Sequence, residues 1–438
     1  MSIVMVSEGA GEKSNTWYHE EAKKLLSQKN KMYAILRLHG IPVHNEEQTA
    51  SFSKYEICLF QHHVLRINKT KDKTIWIHQS ARTMESTTRD EVSNTIDESE
   101  RKKMVSYAIR ALYSLGLEYG TIYIGVHSKN RMYVMDCLAD LPEDDQLHAS
   151  LDSARVKLEQ QIMLDKIAAP TVMLGADPEF ALQDEEGNMA IASHYLMKVG
   201  RVGYDGARLR NDPLSNQHPL VEVRPDPSIY PEEVFLNIYK ALRLAQRKMS
   251  HLKWLAGGMP FDGYPIGGHV HFSGTPLHFG LLHKLDTYLC LPLALLEDER
   301  CIKRRPRYGF LGDFREQDYG GFEYRTLPSW LISPRIAKGV LSLAKIIAES
   351  QYLLKKEATR DITVQLAFYR GEKEKLRMIV RELYQEIIKL PMYKKYRQFI
   401  TPFFHSVFTE GEWQANSDIK EMWKLPPSSP QQDGGSVL

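Results

Sequence analysis

The sequence predicts an α+β protein whose larger part is a curved antiparallel sheet backed by helices, preceded by a smaller α+β module. Three observations carry this. Strand-like and helical patterns alternate from about Thr16 to Pro142, four short strand-like segments with paired polar residues recur between Gly175 and Pro328, and from Arg335 onward the chain reads almost wholly helical. At 438 residues the chain exceeds a single domain of roughly 150 residues, and its 43% apolar content supports more than one core.

Residues 1–15 are expected to be a flexible N-terminus. Within them G-A-G-E-K-S lacks the Gly-Lys adjacency and four-residue spacer of a phosphate loop, so it carries no nucleotide reading. Residues 16–150 form the N-terminal module, with a helix from Ala22 to Leu36, strand-like stretches from Tyr55 to Ile67 and Thr74 to Gln79, a helix from Glu98 to Leu115, and strands Thr121 to Val126 and Met132 to Cys137. The Glu98 helix places Met104, Tyr107, Ala108 and Leu112 at helical spacing with a charged opposite face. Residues 151–170 read as a helical linker, Leu151 to Ala168, stopped by Ala169 and Pro170.

Residues 171–426 form the larger domain. After the strand that carries Asp177, D-E-E-G-N is a hairpin turn signal. Pro231 with Glu232 and Glu233 opens a helix, since proline fits the first helical position and acids favour the positive end of the dipole, and Val234, Ile238, Ala241 and Ala245 make its buried stripe. A second helix runs from about Leu277 to Leu296 despite Pro292, and Gly371 to Lys389 is a charged amphipathic stretch. Residues 427–438 close the chain as a disordered tail, too rich in Pro, Ser and Gly to bury a core.

Composition narrows the partners. With 57 basic against 55 acidic residues, a formal charge of +2, no global field draws the chain to nucleic acid or anionic lipid, so any basic site is local. Cys58, Cys137, Cys290 and Cys301 are scattered without C-x-x-C spacing, and the N-terminus shows no cleavable signal peptide. No stretch reaches the roughly 18 uncharged apolar residues of a membrane helix. A cytoplasmic protein with reduced thiols is expected.

The chemistry concentrates in the four paired segments: G-A-D-P-E-F from Gly175, V-E-V-R-P from Val221, G-G-H-V-H-F from Gly267 and F-E-Y-R-T-L-P from Phe322. Strand geometry puts both members of each pair on one face, so Asp177 with Glu179, Glu222 with Arg224, His269 with His271 and Glu323 with Arg325 would line one concave surface. That composition suits a metal-bound phosphate. Taken singly, each pair has a plainer reading. Asp177 before Pro178 is a turn signal, and Glu222 with Arg224 is a wet cross-strand ion pair. The H-V-H pair is a softer, zinc- or iron-like donor set, which makes a metal hydrolase the rival class, although His278 and His283 sit in a predicted helix and His194 and His218 have no motif around them. The run Arg300, Lys303, Arg304, Arg305, Arg307 is a solvated face, an RNA patch or a set of phosphate contacts, and a near-neutral chain does not favour RNA. Trp330, after the last segment, reads as core.

Two resemblances add to this. The stretch A-I-R-A-L-Y-S-L-G-L-E-Y-G-T-I-Y-I-G-V followed by R-M-Y-V-M-D-C-L-A-D-L-P resembles the last lobe of ATP-grasp ligases over about residues 50 to 145. Asp136 stands at that family's magnesium acid, but Leu138 stands where its Asn is expected, which implies a docking or substrate-presenting remnant. The order D-P-E-F, V-E-V-R-P, G-G-H-V-H-F, R-R-P-R-Y-G and F-E-Y-R resembles the glutamine synthetase and glutamate-cysteine ligase superfamily, most closely its phage-type carboxylate-amine ligase branch, over about residues 171 to 335.

That second resemblance implies a glutamine synthetase-like domain in which ATP phosphorylates a carboxylate and an amine attacks the acyl phosphate to give an amide. It implies two or three magnesium ions, with manganese as an alternative, held by Asp177, Glu179, Glu222, His269 and Glu323. It gives Arg325, Arg224 and His271 to catalysis and Arg304, Arg305 and Arg315 to ATP phosphates. The partners implied are small-molecule or peptide carboxylates and amines, a protein or peptide presented by the N-terminal module, no nucleic acid and no membrane. A non-catalytic ATP- or partner-binding protein on the same fold, or a metal-dependent hydrolase using the H-V-H pair, is the alternative.

Overall fold

Alternating burial along strands and helical stripes of apolar residues sort the chain into two compact units that divide between Leu164 and Asp165. The structure is a computed structural model that describes residues 15–44, 53–76, 83–92, 96–128, 131–168, 171–210 and 216–426. The expected flexible start, the end of the Thr74–Gln79 strand, the Ala169-Pro170 stop and the tail from 427 lie outside the described residues. Among those described, no helix is long and apolar enough to cross a membrane, and all four cysteines are buried free thiols.

The first unit is a five-stranded antiparallel sheet in the order Thr83–Glu91, His63–Trp76, Ser53–Phe60, Tyr119–Ser128, Arg131–Leu138. Leu59 pairs with Gly120 and Ile57 with Ile122, and this face receives the helix Glu98–Ser114, whose Met104, Ala108, Ala111 and Leu112 are buried. Tyr107 is only half-buried on that helix. Cys58 and Phe60 point to the other face and pack with Leu147, Leu151 and Leu158 of the helix Asp145–Ala168. The linker helix thus begins upstream of Leu151, and its first turns belong to this core.

Three local expectations differ here. The stretch Tyr55–Ile67 is two strands joined at Gln61, which adopts φ 51 and donates its amide to the Glu118 carbonyl at 2.6 Å. No Gly, Pro, Asn or Asp marks this turn, so the apolar runs on either side read as one. The Ala22–Leu36 helix is two, Asn15–Leu26 and Lys29–Leu38, the second burying Met32, Ile35 and Leu36. The strand Thr83–Glu91, T-M-E-S-T-T-R-D-E, is polar in both alternations and gave no periodic signal.

The second unit holds a curled antiparallel sheet system in two connected parts. One runs Lys253–Leu255, Glu179–Gln183, Leu220–Val223, Val202–Tyr204, with Met189–Ala190 closing the hairpin after Gln183; the other runs Phe314–Glu316, Phe322–Tyr324, Val270–Ser273, Met173–Ala176. The helix Pro231–Met249 buries Val234, Ile238, Ala241 and Ala245 as expected, and it packs on Pro334–Ser350, which also meets Tyr393–Thr409. The expected Leu277–Leu296 helix spans Phe279 to Ala294 and widens into a π-helical turn over Asp286–Cys290. That wider turn precedes Pro292, which offers no amide and would clash with a carbonyl four residues back in a regular α-helix.

Candidate active site

The corner of the curl is Asp177-Pro178. Strand Met173–Ala176 belongs to one part of the sheet and Glu179–Gln183 to the other, so the Asp-Pro step is a crossing point between two strands, not a surface turn. The His segment runs beside this corner: the Asp177 amide donates to the His269 carbonyl at 3.3 Å and the Glu179 amide to the Gly267 carbonyl at 2.9 Å. The two glycines before His269 are required by crowding. A Cβ on Gly267 would lie 2.2 Å from His269 Nε2, and one on Gly268 would lie 2.5 Å from the Pro328 carbonyl oxygen. Trp330 is fully buried and donates its indole N–H to the Gly268 carbonyl at 2.7 Å.

Strand register brings the acids and imidazoles together. His271 pairs with Glu323 and Glu323 with Arg315; Glu222 pairs with Glu179 and with Gly203. His269 Nδ1 lies 2.9 Å from Asp177 Oδ1 and 3.0 Å from Glu323 Oε1, and His271 Nε2 lies 3.2 Å from Asp177 Oδ2. Glu323 is fully buried and takes Arg315 at 2.5 Å, Gln317 at 2.8 Å and Arg325 at 3.4 Å. Glu222 is paired with Arg224. Glu179 accepts the Gly267 amide at 2.8 Å.

Two groups of three ligand-competent atoms result, each within 4.8 Å of one another: Asp177, His271 and Glu323, and Glu179, Asp205 and Glu222. Asp205 was not among the sequence candidates. It follows the edge strand Val202–Tyr204 with no polar partner two residues away, and only the pairing of that strand with Leu220–Val223 brings it to Glu222. The V-G-Y-D-G run, an acid between glycines after a short strand, was the available signal.

The electrostatics of the two groups differ. Burial, reinforced by Asp205 and Asp177, pushes the Glu179 carboxyl up to about 8. Burial and Asp177 push Glu222 up to about 7, against the pull of Arg224. In the other group burial also disfavours charge, but the imidazoles win: His269, whose Nδ1 faces both Asp177 and Glu323, is raised to about 10, and Asp177 and Glu323 are held below the usual carboxylate range. One group is neutralised by the adjoining His269 imidazolium, whereas the other has gathered three acids against the guanidinium of Arg224.

Two cavities flank this ridge of side chains. One of about 320 Å³ is strongly basic, with Arg208, Arg210, Arg304, Arg307 and Arg325 in its wall beside Glu179 and His269. The other, about 440 Å³, is lined by Asp177, His271, Arg224, Arg315, Gln317 and Tyr319, with apolar residues besides. Arg304 is buried, and its guanidinium also donates to the Thr326 carbonyl at 3.0 Å, propping the last strand.

Arg305 is a correction to the sequence reading. Its guanidinium is buried against Glu297, donates to the Phe368 carbonyl at 3.1 Å and stacks 3.7 Å over the Phe368 ring, and it lines neither cavity. A buried guanidinium must be neutralised, and Glu297 does this. Arg307, two residues on, reaches the basic cavity instead. Gln317 and Tyr319 were also missed, although R-E-Q-D-Y continues the every-second-residue pattern from Arg315. His278 caps its helix against Gln351 at 2.9 Å, away from both groups.

Known proteins place these features in a family. No curated protein matches this chain. Among solved structures it is similar to an ATP-grasp ligase, PsnB, complexed with minimal precursor (12% identity, 31% of this chain, 62% of that one, TM-score 0.24). It is also similar to a bifunctional glutathione synthetase from Pasteurella multocida (12%, 62% and 52%, TM-score 0.37) and to a novel glutamine synthase homolog (14%, 57% and 74%, TM-score 0.26). The chain thus spans less than two thirds of the first two, and all three likenesses are distant. A model of the phage phiEco32-like COOH.NH2 ligase-type 2 family matches residues 174–425, more than half of the chain and all four paired segments. The chain belongs to that carboxylate-amine ligase family.

Proposed function

We propose that the second unit is an ATP- and magnesium-dependent ligase that joins a carboxylate to an amine through an acyl phosphate. The observation that carries this reading is the ridge itself: two three-ligand groups between a cavity walled by five arginines and a second cavity with two. Of the six ligand-competent side chains in these groups, five are carboxylates and one is an imidazole, a predominantly hard donor set that suits magnesium or manganese better than zinc. The buried Asp177 Oδ1, Glu323 Oε1 and His271 Nε2 lack a well-formed hydrogen bond, as atoms that await a cation would. Asp177, His271 and Glu323 would hold one ion, and Glu179, Asp205 and Glu222 a second, with His269 between them. Bound there, the ions supply the positive charge that phosphate oxygens and a transferring phosphoryl group require.

The chain's own residues do the rest. Arg208, Arg210, Arg304 and Arg307 bind the polyphosphate of ATP in the basic cavity, and Arg325, raised further in basicity by Asp313 and Glu323 against the effect of burial, faces the transferred group from beside Glu323. Arg224 and Arg315 orient the substrate carboxylate from the other side. A carboxylate oxygen attacks the γ-phosphorus and ADP leaves; the amine then attacks the acyl carbon, phosphate leaves, and the amide nitrogen loses a proton. In the first unit, Asp136 is paired with Lys29 at 3.5 Å on an exposed surface, which fits a docking role better than a nucleotide site.

Hydroxylamine trapping tests this. With ATP, magnesium and a carboxylate panel, hydroxamate and ADP should form in equal amounts. Glu179→Gln and Glu323→Gln should lower the rate by about 10³-fold without changing the fold; full activity in both variants would remove the site assignment.

A further inference from the structure

The larger cavity changes character from its inner wall to its mouth. Its charged groups, Asp177, His271, Arg224 and Arg315, are tied to the ridge by ion pairs. The outer wall is mostly apolar: Met173 is 38% exposed and Tyr319 59% exposed, Pro227 lines the same cavity, and Ser273, the strand partner of Met173, and Gln317 are its uncharged polar members. No further charged residue lines this cavity among those described.

Tyr319 is held in place. It sits on the turn between strands Phe314–Glu316 and Phe322–Tyr324, closed by Gln317 N–H to the Gly321 carbonyl at 2.9 Å and Gly320 N–H to the Gln317 carbonyl at 3.0 Å. Gly321 lies so close to the neighbouring strand that a Cβ there would be 2.3 Å from the Phe272 carbonyl oxygen. The hydroxyl of Tyr319 is 3.5 Å from His271 Nδ1, and its ring lines the cavity beside the charged groups.

We propose that the carboxylate substrate carries its reacting group on an apolar or aromatic stem, and that Met173, Pro227 and Tyr319 select such a stem over amino dicarboxylates. The inference rests on the ligase reading. A carboxylate is attracted inward by Arg224 and Arg315. The stem behind that carboxylate lies against the thioether, the proline and the phenol ring, where a second carboxylate or an ammonium would lose water without gaining a charged partner among the described residues. A methylene chain gains there, by roughly fourfold in affinity for each fully buried CH₂. The volume of about 440 Å³ suits a ligand of that size and falls in the ordinary range of roughly 300 to 1,000 Å³ for small-molecule pockets.

The test compares hexanoate and 4-phenylbutyrate with glutarate and glutamate. Calorimetric binding is measured with magnesium and ADP present, and hydroxamate formation with ATP. The expected result is at least a tenfold preference for the first pair in affinity and in kcat/KM. Tyr319→Phe should keep that preference, while Tyr319→Ser and Met173→Glu should each weaken hexanoate binding about tenfold and leave ADP binding unchanged. Met173 is at the exposed start of its strand, so its variant remains informative if Tyr319→Ser is unfolded. Equal or stronger binding of glutamate, no binding of either series, or indifference to both variants overturns the proposal. Hexanoate binding without hydroxamate from any carboxylate would overturn the ligase reading instead.

Discussion

Each unit buries carboxylates within an antiparallel sheet, and the two treat them in opposite ways. Glu56 of the first unit is fully buried, and both of its oxygens are met by neutral donors, Asn68 Nδ2 at 2.9 Å and Tyr123 Oη at 3.0 Å. In the second unit Asp177, Glu179 and Glu323 are buried among other ionisable groups, and Asp177 Oδ1 and Glu323 Oε1 have no well-formed hydrogen bond. A carboxylate whose two oxygens each accept a hydrogen bond is a finished piece of structure. One whose oxygens face other ionisable groups without a well-formed hydrogen bond retains capacity for a ligand, and the surrounding fold must carry its electrostatic cost.

The contrast is broken most directly by exchanging activity for stability. Arg325→Lys keeps the charge but loses the planar fork, and kcat should fall about 10² to 10³-fold with an unchanged thermal midpoint. Arg305→Met should do the reverse, leaving Glu297 buried without its cation and costing about 3 to 5 kcal/mol in chemical denaturation, with surviving folded enzyme fully active. If Arg305→Met lowers kcat in folded protein, Arg305 belongs to the site after all.

A smaller effect is expected in the first unit. Glu56→Leu leaves Asn68 and Tyr123 without their acceptor and should cost about 1 to 3 kcal/mol, read by urea denaturation, without altering metal binding by the second unit.

The smallest effect is a pH dependence whose sign separates the two kinds of carboxylate. Glu179 and Glu222 have folded pKa values raised to about 8 and about 7, above an ordinary glutamate value of 4.5. Their contribution to stability is complete below pH 4.5 and is lost as pH rises through 7 and 8. Cation-free protein should therefore lose on the order of 1 kcal/mol or more between pH 5 and pH 8.5. Magnesium should reverse this trend, stabilising more at pH 8 than at pH 6. A melting profile that rises with pH without added cation would contradict the assignment.

Much of the site was legible because the period of a strand is two. Glu323 and Arg325 lie close for that reason, and the glycines before His269 announced a close approach, whereas Asp177 and Glu179 fall on either side of the crossing between the two parts of the sheet and face different cavities. What escaped the sequence depended on neighbours that are distant along the chain. Asp205 joins Glu179 and Glu222 only through strand pairing, and Arg305 and Arg307 differ in fate because Glu297 and Phe368 await one and not the other. The turn at Gln61 escaped for a local reason, since a residue with φ 51 is rarely Gln. The π-helical turn at Asp286 is marked in the sequence only by Pro292, yet it brings that carboxylate within 2.6 Å of the Tyr324 hydroxyl and fixes the strand that bears Glu323.

On the proposed function, the ridge would hold two cations on separate ligands. Manganese titration followed by electron paramagnetic resonance, with free ion counted at each addition, tests it most directly. The prediction is two manganese ions per chain in the unaltered protein, one in Asp205→Asn with Glu222→Gln, and one in Glu323→Gln. A stoichiometry of two that survives both sets of substitutions, or no bound manganese in the unaltered protein, would contradict it.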